Sequence, residues 1–204
     1  MPPFHPLFFL FSFFFFFFIP LQAYPAIVRA FSPYVDKTAS IVDVGCGHGM
    51  LVEAWRAGHT NSSYGVEGSA DVVHTWPQEH VDEFYRVLDL TDADATLPPA
   101  DFVQTFEVAE HLPPEHADHF VRMLTHRRPR LIFFGAATAN QDQGRNPLHV
   151  NENSLSYWVE KFAAEVRQLR HHFEAIFYTV SSSIPPAHAV CCDLLGPRRC
   201  CVVC

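Results

Sequence analysis

The stretch Ser40-Ile-Val-Asp-Val-Gly-Cys-Gly-His-Gly49 constrains this chain more than any other. Ile41, Val42 and Val44 make a short apolar run, the pattern of a strand buried on both faces in a parallel sheet. Gly45, Gly47 and Gly49 then interrupt it at alternate positions. A helical pattern takes over at once, with Met50, Leu51, Ala54 and Trp55 recurring at spacings of three and four. Strand, glycine turn and helix form the first unit of a nucleotide-binding α/β fold. Glycine is needed there because the chain turns sharply and a ligand must approach bare backbone. The helix start then offers N–H groups to a carboxylate or phosphate. The dinucleotide fingerprint G-x-G-x-x-G is not met, because Met50 stands where its third glycine belongs.

A length of 204 residues suits one domain with a sizeable core. A formal net charge of −8 argues against a nucleic-acid partner, and Arg127-Arg128-Pro129-Arg130 is too short to be more than a solvated helix end. Of the six cysteines, Cys46 sits in the glycine turn and the rest crowd into Cys191, Cys192, Cys200, Cys201 and Cys204. The proposed core therefore has no disulfide framework, which suits a reducing compartment and points to the cytoplasm. Residues Leu7 to Ile19 are apolar except for Ser12. That run falls short of the ~20 residues of a transmembrane helix but has the length of a signal-peptide core. Leu21-Gln22-Ala23 is a poor cleavage site and Met1 to Pro6 has no Lys or Arg, so low-complexity sequence is the competing reading. On these grounds residues 1–22 are set apart, 23–182 are assigned to the main domain, and 183–204 form a Cys-rich tail.

Tyr24 to Thr38 reads as a lead-in helix with Ile27, Val28, Phe31 and Val35 on one face, made irregular by Pro33. The second strand is Ser63 to Glu67, followed by Gly68 and a helix from Ala70. Glu67 lies ~20 residues beyond the glycine turn, where a carboxylate can accept both ribose hydroxyls of a nucleoside. The competing reading is a solvated strand-end acid. The third strand is Phe84 to Leu88, ending at Asp89-Leu90, with Asp89 also suited to capping a turn. The fourth is Asp101 to Phe106, followed by Glu107-Val-Ala-Glu-His-Leu112. Glu107 stands at the carboxyl end of that strand, on the side of the sheet where ligands bind. Glu110 and His111 follow within about a helical turn. His111 titrates near neutrality and can act as a base, or can simply pack at the start of a helix.

A helix is expected over Pro114 to His126, with Phe120, Val121 and Leu124 inward. His116 and His119 share a face and invite a metal reading, but this helix should lie outside the sheet, so no metal site is expected. The fifth strand is Arg130 to Phe134, the polar loop Asn140 to Asn146 follows, and a further helix carries Leu155, Trp158, Val159 and Phe162. His149, Asn151 and Glu152, between that loop and helix, are candidates to hold substrate. Asn151 or Asn153 can instead cap the helix.

Asp43-Val-Gly-Cys-Gly-His-Gly49 resembles motif I of the class I S-adenosylmethionine-dependent methyltransferases. The strand from Asp101 with its Glu107-Val-Ala-Glu-His111 ending resembles the corresponding motif of the small-molecule members. His149-Val-Asn-Glu152 with Ser156-Tyr-Trp158 is similar to a subgroup of them. The resemblance spans roughly residues 40 to 165. It implies an α/β, Rossmann-like, mostly parallel sheet with helices on both faces. It also implies S-adenosylmethionine as cofactor and methyl transfer to a small-molecule acceptor. Asp43 would orient the loop and the cofactor amino group. Gly45, Cys46, Gly47 and Gly49 would shape the methionine side. Glu67 would hold the ribose and Asp89 the adenine, with Leu90 against its ring. Glu107 would lie beside the methionine part, and His111 and His149 are the two bases to consider.

Phe173 to Val180 supplies a sixth strand, and only Ala187 to Leu195 is available for the next, so either the sheet is shortened at this end or the tail comes from an altered reading frame or a divergent exon. Two other readings stay open: a non-catalytic relic of the same fold, and an NAD-type oxidoreductase sharing the glycine turn and the acid after strand two. Either end of the chain offers a membrane contact. The amino-terminal run does so by its apolarity. At the other end Cys201-Val-Val-Cys204 has the C-a-a-X form, with Cys200 and Arg198-Arg199 beside it.

Overall fold

The computed structural model describes residues 23–76, 80–81, 83–141, 143–169, 174–179, 188–193 and 200–203. The phenylalanine run, Arg198-Arg199 and Cys204 lie outside them. The chain divides into two units, Met1–Asp89 and Leu90–Cys204.

In the first unit, α1 (Ala23–Phe31) buries Tyr24, Val28 and Phe31. The lead-in helix stops there rather than at Thr38. Ser32–Tyr34 tightens into a 3-10 turn because Pro33 has no N–H to give to the preceding turn. Val35 is nonetheless buried, as its spacing predicts. Then come β1 (Ile41–Val44), α2 (Met50–Gly58), β2 (Ser63–Glu67), a short α3 (Ala70–Val73) and β3 (Tyr85–Val87). Every residue of β1 is buried. The strands run parallel in the order β3-β2-β1, with Ile41 opposite Ser63 and Gly65 opposite Tyr85. Helix α2 buries Leu51, Val52 and Trp55, while Met50 and Ala54 are half-buried. Val52 takes the inward place because it packs with Cys46, Trp76 and Tyr85.

In the second unit, β4 (Phe102–Phe106) leads into 3-10 turns at Ala109–His111 and Pro114–His116, then α4 (Ala117–His126). The helix expected from Pro114 thus begins with a 3-10 turn. Phe120, Val121 and Leu124 are buried, as their spacing predicts. Next are β5 (Leu131–Gly135), α5 (Leu155–Leu169), β6 (Glu174–Thr179), β7 (His188–Asp193) and β8 (Cys200–Val203). All five residues of β5 are buried, as for a strand covered on both faces. Phe134 meets Trp158 and Phe162 of α5, each at 5.1 Å between centroids. Lys161 of α5 donates to Asp118 of α4 at 2.6 Å. Strands β4, β5 and β6 are parallel, and β7 and β8 continue antiparallel. The stretch with no resemblance to the family therefore supplies the last strand, and this end of the sheet is not shortened.

The architecture is α/β and Rossmann-like. Among the described residues no helix is long and apolar enough to cross a membrane.

Candidate functional site

The glycine turn after β1 has left-handed backbone at all three glycines, with φ of 73° at Gly45, 54° at Gly47 and 78° at Gly49. Its underside is braced by residues far along the chain. The Trp76 indole N–H donates to the Gly47 carbonyl at 2.8 Å. Tyr85 stacks on Trp76 at 4.8 Å between centroids, and its hydroxyl donates to Glu53 Oε1 at 2.7 Å. A Cβ at Gly49 would lie 2.5 Å from the Tyr85 ring, and one at Gly65 2.5 Å from Cys46 Sγ. Gly49 is required for close approach as well as for turning, and Gly65, inside β2, for close approach alone. Nothing in the local pattern around Trp76 or Tyr85 marks them as part of this site.

Cys46 is in the turn, but its thiol is buried in the core and its N–H donates to the Val66 carbonyl at 3.1 Å. Burial, then Asp43 and Glu67, push that thiol well above its usual range. Asp43 is buried at the end of β1, and Tyr24, affected by burial and then by Asp43, is pushed up to about 12. Glu67 reaches back across the turn. Its Oε2 accepts from the Gly47 N–H and its Oε1 from the Ser69 N–H, each at 2.9 Å. Burial raises its carboxyl above the ordinary value, against the lowering effect of those N–H bonds. Asp89 closes this unit on an exposed position, and Leu90 opens the second on a buried one.

The second unit brings Glu107, Glu110, His111 and His149 together. Glu107, directly after β4, has φ 56°, a left-handed conformation uncommon for a side-chain-bearing residue. Its N–H donates to the Gly135 carbonyl at 3.0 Å, and its Oε2 accepts from Gln141 at 3.1 Å. The following 3-10 turn carries Glu110, which is 0% exposed. The Glu110 carbonyl accepts the N–H groups of Val150 and Asn151 at 2.9 and 3.0 Å, and the Asn151 side chain donates to the Ala109 carbonyl at 3.4 Å. Asn151 is thus a clamp between loop and turn. The cap of α5 is Ser154, whose Oγ accepts from the Tyr157 N–H at 3.3 Å.

That clamp brings His149 to His111. The His111 Nδ1 faces the Leu148 carbonyl at 3.1 Å, and the His149 Nδ1 faces Glu152 Oε1 at 2.7 Å. Both partners accept, so each ring presents a proton on Nδ1, and in a neutral ring Nε2 is then an acceptor. Burial first, then His149, hold His111 down to about 4. Burial first, then Glu107, push Glu110 well up, and burial raises Glu107. One donor atom each from Glu110, His111 and His149 lie within 4.8 Å of one another. His116 and His119 join no such group among the described residues.

The family model described as a methyltransferase domain matches residues 19–174, most of the chain. The chain belongs to this family. The class I resemblance of residues 43–49 and 107–111 therefore stands, and the family match favours methyl transfer over the oxidoreductase reading. Solved structures share the fold. The YcgJ protein of Bacillus subtilis is 16% identical with a TM-score of 0.53, over 76% of this chain and 70% of its own. A SAM-dependent methyltransferase of Archaeoglobus fulgidus is 17% identical with a TM-score of 0.52, over 73% of each chain. The small RNA methyltransferase HEN1 is 18% identical with a TM-score of 0.57, over 81% of this methyltransferase and 23% of its own chain. No curated protein matches the chain in sequence.

Proposed function

We propose that this methyltransferase moves the methyl group of S-adenosylmethionine to a hydroxyl of a small-molecule acceptor. The observation that carries the reading is the carboxylate of Glu67 drawn onto the Gly47 N–H of a three-glycine turn, in a chain of this family. An acid so placed has lone pairs left for two ribose hydroxyls, while the turn admits the methionine part against bare backbone. Asp43, Gly45, Gly47, Gly49 and Glu67 are the cofactor residues of this reading, with Asp89 and Leu90 assigned to adenine. Cys46 contributes only through the shape of the turn. Among the solved structures that share the fold, one is described as SAM-dependent.

Transfer is an in-line displacement. The acceptor oxygen forms a bond to the methyl carbon, the S–C bond breaks, and its electron pair stays on sulfur to give S-adenosylhomocysteine. The hydroxyl proton must leave, and His111 and His149, with Nε2 as acceptor, are the groups suited to assist that loss. Positioning supplies much of the rest, on the order of 7–11 kcal/mol when two reactants are brought together. A net charge of −8 favours a small acceptor over a polyanion. The buried, free thiol of Cys46 is in keeping with the cytoplasm.

Calorimetry with S-adenosylhomocysteine and, separately, NAD tests the reading. Binding of the first alone is expected. Binding of NAD, or of neither, would overturn it.

A further inference from the structure

Gly47 is held at both of its backbone groups. Its N–H donates to Glu67 Oε2 at 2.9 Å, and its carbonyl accepts the Trp76 indole N–H at 2.8 Å. Glu67 ends β2 and Trp76 follows α3, so the two contacts come from either side of one short helix. The same stretch reaches the next residue of the turn, with Thr75 Oγ1 2.7 Å from His48 Nδ1. The cofactor reading uses Glu67 and leaves Trp76 unexplained. The indole is 2% exposed, stacks on Tyr85 at 4.8 Å between centroids, and packs with Cys46 and Val52 inside the core. A phenylalanine would fill most of that space. What the indole adds is a single donor that cannot accept.

Peptide geometry gives that donor a consequence on the far side of the turn. The bond joining Gly47 to His48 is trans, so the Gly47 carbonyl and the His48 N–H point in opposite directions from one plane. Drawing the carbonyl into the core therefore turns the His48 N–H out of it. Gly47 has φ 54° and no Cβ, so its own sterics set little barrier to rotating that plane. Gly47 is buried, and without the indole N–H its carbonyl would lose a bond that water does not replace there. It would recover one by turning outward, and the His48 N–H would then turn inward.

We infer that Trp76 is a positioning residue for the cofactor: its indole N–H locks the Gly47–His48 peptide so that the His48 N–H faces the cofactor and Gly47 stays on Glu67. A donor fixed in advance needs no ordering when the ligand arrives, whereas a freely rotating peptide must be ordered by it at a cost in affinity. His48 takes part through its backbone, while its side chain is held by Thr75. The inference rests on the S-adenosylmethionine reading above and adds to it a residue that acts from inside the core, through the backbone.

The test uses the full chain and S-adenosylhomocysteine. Trp76→Phe keeps a ring against Tyr85 and removes the N–H, and it should weaken binding in calorimetry by about tenfold. Trp55→Phe shrinks a fully buried ring of α2 and should lower the thermal midpoint while leaving affinity within about twofold. The second readout is the nuclear magnetic resonance signal of the Trp76 indole N–H, assigned by elimination with Trp55→Phe and Trp158→Phe because the chain has three tryptophans. That signal should shift when S-adenosylhomocysteine saturates the wild type, since a ligand on the His48 N–H polarises the carbonyl that the indole bonds. A signal that stays in place would overturn the inference, whether or not Trp76→Phe folds. So would wild-type affinity in Trp76→Phe, or an equal loss in Trp55→Phe. Failure of the wild type to bind S-adenosylhomocysteine at all would instead remove the cofactor reading together with this inference.

Discussion

The His111 and His149 rings meet edge to face, with centroids 4.9 Å apart and planes at 73°. The contact exists because the Glu110 carbonyl takes two N–H groups from the loop that carries His149. After burial, the His149 ring is what discourages a charge on His111, and both rings stand next to carboxyls that burial makes reluctant to ionise.

The first expected consequence is a pH-dependent stability. His111 titrates at about 4 in the folded chain against an ordinary 6.5. Between those values the unfolded chain binds more protons, so stability rises with pH. The contribution is fully present above 6.5 and is lost as pH falls towards 4. It amounts to on the order of 3 kcal/mol. The raised Glu107 and Glu110 carboxyls titrate in the opposite sense, so the contribution is read as a difference: in urea unfolding between about pH 7.5 and 4 the wild type should lose more stability than His111→Gln. Identical slopes for the two proteins would remove the assignment.

Gly49→Ala should destabilise the chain. The backbone there has φ 78°, and the added Cβ would meet the Tyr85 ring at 2.5 Å. Strain and overpacking together cost about 2–4 kcal/mol. For a chain of this size that lowers the melting temperature by roughly 4–16 °C. Differential scanning calorimetry reads it, and an unchanged midpoint would show that the turn relaxes without penalty.

Glu67→Ala should weaken S-adenosylhomocysteine binding by about tenfold to a hundredfold, the range for losing a charged hydrogen-bond acceptor. It leaves the N–H groups of Gly47 and Ser69 without their acceptor, so the turn loosens as well. Glu67→Gln keeps one carbonyl oxygen and should fall between wild type and alanine. Affinity equal to wild type in the alanine variant would discard the ribose role.

The acceptor is expected to be small, and RNA is the sharpest contrary case because one structural neighbour is a small RNA methyltransferase. Filter binding at low and moderate salt should find no tight complex with single- or double-stranded RNA. A complex whose affinity falls steeply with salt would show phosphate tracking and reverse the assignment.

Local signals carried much of the fold. The apolar run with glycine punctuation placed β1 at Ile41–Val44, and the second strand fell on Ser63–Glu67 as expected. Strand and turn propensities act over a few residues, so a chain displays them wherever packing agrees. The helix of Trp158 and Phe162 was legible for the same reason. Pro33 shows where local reading erred, because the apolar face ran through Val35 while the missing N–H ended α1 at Phe31.

What tertiary structure alone decided are the pairings between distant segments. A strand at Cys200–Val203 has a weak local pattern and forms because β7 offers an edge to pair with. Cys46 is placed in the glycine turn by position alone, while packing against Gly65 and Tyr85 decides that its thiol lies in the core. Glu110 is a residue type that sequence assigns to solvent, yet the clamp from Val150 and Asn151 closes over its turn and buries it. His111 and His149 were named separately as bases, and only that clamp makes them neighbours. Side-chain direction and burial depend on contacts between segments remote in sequence, and such contacts leave no local periodicity to read.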